Sequence, residues 1–350
     1  MGLTAELRAF LPIHTAGLLT RPVDLVIAHR LADSLRADGA IYGRPRGPRR
    51  TLSDLLVFRL DGAAAPSILV KHPRSSRAVV SLAEECNAMR QLAHDESLGA
   101  WRRLLPMVEE CRLEGPLPLV VEKWLPGIEG DTLLQRSPQL ARPVTVSALE
   151  AIRELHRATG RREVVTARVG HWVDPRLAVL AEEVRWCRRG EGAEALALLR
   201  DRVVRALAGR SLLVAWTHGD FHPGNVLLTR RHGELCGVID WAGALPEGPS
   251  VLDCHTFVLT MRHLLERRQL GQVVADVVRR ASLLPEDRRL LAEAGELASD
   301  AECETAFTLL TWLWHVAGNV AKSARYGRSH RWVADNVVSV LSEVLAQGTP

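Results

Sequence analysis

Apolar positions recur at helical spacing early in the chain, where Leu25, Ala28, Leu31 and Leu35 share one stripe, so residues 1–37 read as a helical lead-in. The stretch GAIYGRPRGPRR at 39–50 is rich in Gly, Pro and Arg and predicts a turn region. LSDLLVFRL (52–60) and SILVKHP (67–73) are apolar and β-branched enough for strands, joined by the turn DGAAAP. From about Ser81, LAEECNAMRQLA sets Leu82, Cys86, Met89 and Ala93 on one helical face. PLPLVVEKW (116–124) is a further buried strand, closed by Pro126 and Gly127. Strand, strand, helix, strand describes a small α+β unit.

Beyond Gly127 the pattern turns helical over roughly 145–159, 176–208, 251–282 and 300–345. Between the second and third of these lies VAWTHGDFHPGNVLLTRRHGELCGVIDWAGA (214–244), which reads as loop, short strand, Arg-His-Gly turn, short strand, loop. The division falls at 1–123 and 124–350, in line with the two domains that 350 residues suggest.

Composition narrows the partners. Hydrophobic residues make up 47% and charged residues 25%, a globular balance. No apolar run approaches the ~18 residues of a membrane span. The first residues lack a basic segment followed by an apolar core, so no secretory signal is expected, and Glu6 argues against myristoylation at Gly2. The net charge is +4, with 17 basic and 14 acidic residues before Gly127 and 28 and 27 after it. Neither part is basic enough to point to nucleic acid. The six cysteines, Cys86, Cys111, Cys187, Cys236, Cys254 and Cys303, are too far apart for a CxxC pair or a zinc ribbon. Free thiols in a reducing cytoplasm are the expectation. Of 45 basic residues only Lys71, Lys123 and Lys322 are lysines.

Polar residues concentrate in the 214–244 stretch. His218, Asp220, His222 and Asn225 are followed by Asp240 at the end of GVID. Pairing VLL (226–228) with CGVI (236–239) would bring Asn225 and Asp240 to one end of a hairpin. Two oxygen ligands beside a third carboxylate suit a hard divalent cation on phosphates. Asp220 and Asn225 have the D-x-x-x-x-N spacing of a kinase catalytic loop, with a His two residues before the Asp. In phosphoryl transfer a carboxylate can bridge metals, an amide can hold one without adding repulsion, and a second carboxylate can take the attacking hydroxyl's proton.

HGDFHPGNVLL followed by VIDW resembles the aminoglycoside phosphotransferase and choline kinase superfamily of small-molecule kinases. The resemblance implies a protein-kinase-like two-lobe α+β fold, with a small antiparallel-sheet lobe and a larger, mostly helical lobe. It implies Asp220 as catalytic base, His218 as the orienting residue of its loop, and Asn225 and Asp240 as magnesium ligands. ATP or GTP would be the phosphoryl donor and a small-molecule hydroxyl the acceptor. Upstream, Lys71 would contact the nucleotide phosphates. Glu85, preferred over Glu84 because Met89 and Leu92 follow it, would hold that lysine. Backbone groups from Glu122 to Trp124 would meet the purine edge. The nucleotide-covering loop would lie within Gly43–Ser53, with Ser53 as its phosphate contact. There the chain departs from the family's short Gly/Ser turn, being rich in Arg and Pro.

Competing readings attach to the same residues. The arrangement His218-x-Asp220-x-His222 also suits a zinc-dependent hydrolase. A nucleotide-binding pseudokinase would use the same fold. A P-loop is excluded, because no lysine follows a glycine. Trp312, Trp314, His315 and Asn319 lie on an apolar helical stretch and read chiefly as core, with room for one or two in an acceptor pocket. Asp253 reads as a cap or a support for the hairpin. The balanced charge after Gly127 favours an acceptor less cationic than an aminoglycoside, such as a nucleoside antibiotic, a macrolide or a sugar.

Overall fold

The computed structural model describes residues 22–37, 42–62, 66–230, 233–296 and 300–348. The expected lead-in helix before Pro22, the centre of the DGAAAP turn and the Arg231-His232 tip of the hairpin lie outside them.

The chain opens with α1 (Pro22–Ala37) and then forms β1 (Arg46–Arg50), β2 (Leu55–Leu60) and β3 (Ile68–Pro73). Helix α2 (Ser76–His94), β4 (Val108–Arg112) and β5 (Leu119–Lys123) complete an antiparallel sheet of order β1-β2-β3-β5-β4. Both faces of this sheet are covered. Ala28, Leu31, Ala32 and Leu35 of α1 pack with Leu56, Phe58, Leu60, Ile68 and Val70 on one face. Ala78, Leu82 and Cys86 of α2 pack with Leu55, Val57 and Val120 on the other. A strand buried on both sides has no polar face, which is why β2 shows little alternation in its sequence.

Three local expectations are corrected here. Residues 46–50, expected to be a turn, form edge strand β1, held antiparallel to β2 with Arg49 opposite Val57. Its exposed arginines hid the strand, and charge at a sheet edge is tolerated because it discourages further pairing. Strand β4 is a second edge strand without an apolar pattern and was not foreseen. Helix α2 begins at Ser76 rather than near Ser81, because the Ser75 hydroxyl caps it by accepting from the Ala78 amide.

The second lobe starts with the short β6 (Ile128–Glu129), α3 (Gly130–Arg136), α4 (Ala141–Thr159) and β7 (Arg161–Val164). The expected 176–208 helix is two, α5 (Ala167–Glu183) and α6 (Glu191–Leu207), broken at Gly190. Next come β8 (Ser211–Thr217), β9 (Val226–Leu228), β10 (Leu235–Val238) and β11 (Leu245–Pro249). These strands make two small sheets, β10-β9-β6 and β11-β8-β7. The 251–282 region splits into α7 (Val251–Glu266) and α8 (Leu270–Arg280), followed by α9 (Pro285–Glu293). The 300–345 region divides into α10 (Ala301–Lys322), α11 (Ala324–Arg328), α12 (His330–Val333) and α13 (Ser339–Gly348).

The two lobes share a core. Ala88, Met89 and Leu92 from the end of α2, with Leu98, Trp101 and Leu105 after it, belong to the large lobe's apolar cluster. One helix therefore packs its first half on the sheet and its second half in the helical lobe.

Candidate active site

Strand alternation aims the small lobe's polar groups. On β3, Ile68 and Val70 face α1, so Lys71 faces α2. On β5, Val121 faces α1, so Glu122 faces α2 beside Val120. Glu85 projects from α2 between them. The buried Lys71 ammonium lies 2.9 Å from Glu85 Oε1 and 2.7 Å from Glu122 Oε1. Burial works against the charge on Lys71, but Glu122 and Glu85 outweigh it and raise its pKa. Burial pushes the Glu85 carboxyl up to about 7 against the pull of Lys71, with Glu122 and Asp240 adding to the rise.

Glu85 Oε1 also accepts the Trp241 backbone N–H at 3.2 Å. That bond ties the small lobe to the residue directly after Asp240. The lysine and the acidic hairpin, 169 positions apart between Lys71 and Asp240, are thus joined through one carboxylate oxygen.

The hairpin assembles as its sequence predicts. Leu228 pairs with Leu235 and Val226 with Val238, and the Ile239 amide donates to the Asn225 carbonyl at 2.9 Å. Asn225 and Asp240 therefore share one end. Asn225 Nδ2 donates to the Asp220 carbonyl at 2.9 Å, so the amide's free acceptor is Oδ1. Asp240 adopts a left-handed backbone (φ 65°, ψ 64°), an unfavourable state for a non-glycine residue. Its carboxylate accepts no hydrogen bond from any described residue.

Asp253, at the start of α7, clamps the loop before Asp220. Its Oδ2 accepts the His218 amide at 2.8 Å and its Oδ1 the Gly219 amide at 2.9 Å. Gly219 turns at φ 77°, and a Cβ there would sit 2.1 Å from the Gly243 carbonyl oxygen. His218 Nε2 donates to the Ile239 carbonyl at 2.9 Å, and its Nδ1 accepts the Asp220 amide at 3.3 Å. His218 thus bridges the loop to the strand that carries Asp240.

Both its nitrogens being spent, His218 offers nothing to a metal. His222 Nδ1 accepts the Gly224 amide at 3.0 Å, and its Nε2 stands 3.9 Å from Asp220 Oδ1. Among the described residues, the His218/Asp220/His222 zinc arrangement does not form.

Sequence reasoning missed Lys322. At the end of α10, its ammonium lies 2.7 Å from Asp220 Oδ2 and 3.5 Å from Asp240 Oδ2. His315, two turns earlier on that helix, holds Nδ1 3.5 Å from Asp220 Oδ1, and Asn319 bonds its Nε2 at 3.0 Å. Burial alone would raise the Asp220 carboxyl, but Lys322, His222 and His315 hold it well below the usual carboxylate range. The rarity of lysine in this arginine-rich chain was the available signal. Trp312 and Trp314 are core.

Two expected nucleotide contacts are placed differently. Ser53 sits in the β1–β2 turn, its hydroxyl 2.8 Å from Thr51 Oγ1. The Trp124 amide donates to the Ser67 carbonyl at 2.9 Å and the Lys123 amide to the Met107 carbonyl at 2.8 Å. The Glu122 side chain turns inward to Lys71. Of the backbone groups expected at a purine edge, the Lys123 and Trp124 amides are therefore engaged within the protein.

The model of the phosphotransferase enzyme family matches residues 47–251, from β1 into α7. The chain belongs to this family. Phosphotransferase folds among solved structures are similar to it. The gentamicin complex of APH(2")-IIa is 15% identical, covers 92% of this chain and 96% of its own, and superposes with a TM-score of 0.54. Macrolide 2'-phosphotransferase type I is 13% identical over 95% of this chain and 99% of its own, with a TM-score of 0.52. Aminoglycoside phosphotransferase APH(3'')-Id from Streptomyces rimosus ATCC10970 is 19% identical over 82% of this chain and 98% of its own, with a TM-score of 0.51. These likenesses concern the two-lobe α+β fold. No curated protein matches the chain. Among the described residues, no helix is long and apolar enough to cross a membrane.

Proposed function

We propose that this phosphotransferase family member moves the γ-phosphate of ATP or GTP to a hydroxyl of a small molecule. The observation that carries the reading is the single oxygen, Glu85 Oε1, that holds both Lys71 and the backbone beside Asp240. A lysine fixed by a helix glutamate and facing an Asp/Asn/Asp cluster is an arrangement for binding and transferring phosphate.

In this reading the small lobe, residues 1–123, and the large lobe, 124–350, close on the triphosphate. Lys71 contacts its phosphate oxygens. Asn225 Oδ1 and the Asp240 carboxylate are the magnesium donors, an all-oxygen set suited to a hard cation. When bound, magnesium neutralises charge building on the leaving phosphate oxygen. The acceptor hydroxyl lies against Asp220, its oxygen bonds to the γ-phosphorus as the bridge to the nucleoside diphosphate breaks, and its proton passes to Asp220.

A strongly acidic Asp220 is a poor base. That fits a loose transition state, in which the carboxylate mainly orients the hydroxyl and takes the proton late. Lys322 neutralises Asp220 and Asp240 before the nucleotide arrives and then faces the transferring phosphoryl group. The purine edge meets the connecting segment from Glu122 to Trp124, where the Trp124 amide would have to leave the Ser67 carbonyl to serve as a donor.

The test is a coupled assay of nucleoside diphosphate release against a panel of hydroxylated antibiotics, nucleosides and sugars. One acceptor should stimulate release in a magnesium-dependent manner. Asp220→Asn should lower turnover by ~10²–10⁴ while nucleotide affinity stays near that of the parent. Full turnover in that variant would remove Asp220 from the chemistry.

A further inference from the structure

Behind the loop clamped by Asp253 lies a cavity of about 590 Å³, far larger than a water needs. Its wall carries the side chains of Arg153 and Arg157 from α4, Arg162 from β7 and Arg210 before β8. Many arginines of this protein end on a carboxylate, as Arg161, Arg168, Arg200 and Arg262 do. Arg210 likewise pairs with Asp300 at 2.9 Å. Among the described residues, Arg153, Arg157 and Arg162 have no carboxylate within ion-pair distance. Glu296 is the acidic residue on the cavity wall, leaving an excess of positive charge there.

The space around Arg153 is built in. Gly295, at φ 67°, lies against its guanidinium, and a Cβ at that position would approach Nη2 to 2.7 Å. A second, independent feature points into the same region. His156, on α4 beside Arg157, is fully buried and lines the cavity. Its Nε2 is bonded to Asp253 Oδ2 at 3.0 Å, and among the described residues its Nδ1 has no hydrogen-bond partner. A buried ring nitrogen left unpaired costs free energy that a ligand atom can recover.

His156, Cys254 and Glu296 offer ligand atoms within 4.8 Å of one another, close enough for a metal ion. The charge argues otherwise. Arg153, Arg162 and Arg157 all act on Glu296, whose carboxyl burial nevertheless pushes up, so a cation entering here meets three guanidiniums. Arg162 Nη1 donates to the Ser211 carbonyl at 3.4 Å, but planar guanidiniums without a carboxylate partner match the oxygens of phosphate, which they grip through paired N–H donors.

We propose that this cavity is a second binding site, separate from the Lys71–Asp220 cleft, for a small molecule carrying a phosphate monoester. The site touches the catalytic loop through three hydrogen bonds: His156 to Asp253, and Asp253 to the His218 and Gly219 amides. Ligand held at His156 therefore bears on the geometry of the segment that presents Asp220.

Isothermal titration of the full chain with inorganic phosphate and with glycerol 3-phosphate tests this, with saturating ADP and magnesium present to fill the cleft. Both probes should bind, the ester more tightly if the cavity recognises more than free phosphate. Arg153→Glu and Arg157→Glu should each weaken binding by about 10–100-fold, while Arg153→Lys keeps part of it. Both glutamate variants change partly or fully solvent-facing side chains, and circular dichroism with nucleotide binding confirms that they fold. Phosphate bound equally well by both variants, or no binding of either probe at millimolar concentration, overturns the proposal. A chain that fails to bind nucleotide but binds phosphate in an Arg153-dependent way would sink the kinase reading and leave this site standing.

Discussion

Lys322 shows how one ammonium sets the state of a cluster of acids. Asp220 and Asp240 are close enough to repel one another, and both lie within 3.5 Å of Lys322 Nζ. Removing that charge leaves two carboxylates facing each other, with His222 and His315 acting on Asp220 and the more distant Lys71 on Asp240. Lys322→Ala should therefore lower kcat by roughly 10²-fold, the scale of losing one oriented charge at a developing anion. Lys322→Arg should recover only part of the rate, since a planar fork does not reproduce a point charge. Steady-state kinetics with kcat and the nucleotide KM separated provide the check, and an unchanged kcat would place Lys322 outside the reaction. The neighbouring residues were unequally legible. Asp220, Asn225 and Asp240 announce themselves by spacing, because local backbone alone brings them together. Lys322 lies 102 positions from Asp220, and no local pattern reports such a contact.

Helix α2 is the element on which the site turns. Its first half packs on the sheet and its second half in the large lobe, so Glu85 is held in register with both Lys71 and Trp241. Helix α1 has a different task. It seals the sheet face opposite α2, away from the site, with Leu31 fully buried. Leu31→Ala should cost about 2–5 kcal/mol of stability, the usual range for truncating a core leucine. Thermal unfolding should show the loss while the nucleotide KM stays within about twofold. A large rise in KM would mean that α1 shapes the nucleotide site directly. The stripe through Leu25, Ala28, Leu31 and Leu35 made α1 readable, whereas β1 and β4 were hidden because edge strands need no apolar pattern. The long helical stretches were over-joined. Their breaks at Gly190, Arg267 and Ser323 depend on caps and turns that apolar periodicity does not record.

For the whole molecule, pH reads out burial. His255 on α7 is buried against Phe307, neither ring nitrogen is partnered among the described residues, and burial lowers its pKa from 6.5 to about 3. The unfolded chain protonates this ring below about 6.5 and the folded chain does not until about 3. The folded state is therefore fully favoured by this residue above pH 6.5 and loses that contribution progressively as pH falls toward 3. Chemical denaturation across this window should show stability falling with acid by an amount on the order of a few kcal/mol from this one group. His255→Met should flatten part of the slope. An identical slope in parent and variant would mean that the ring gains a proton or a water in the folded state.

The inner strands of the small lobe, the family and the acidic hairpin were determined by residues close together in the chain, where periodicity, turn chemistry and motif spacing act over a few positions. The pairing of Glu85 with both Lys71 and Trp241, the arrival of Lys322 between two aspartates, the consumption of the Trp124 amide and the gathering of unpaired arginines behind Asp253 were decided only by the tertiary structure. Each depends on the path of the intervening chain, and packing selects that path through the sum of many contacts, none of which is written at the positions it brings together.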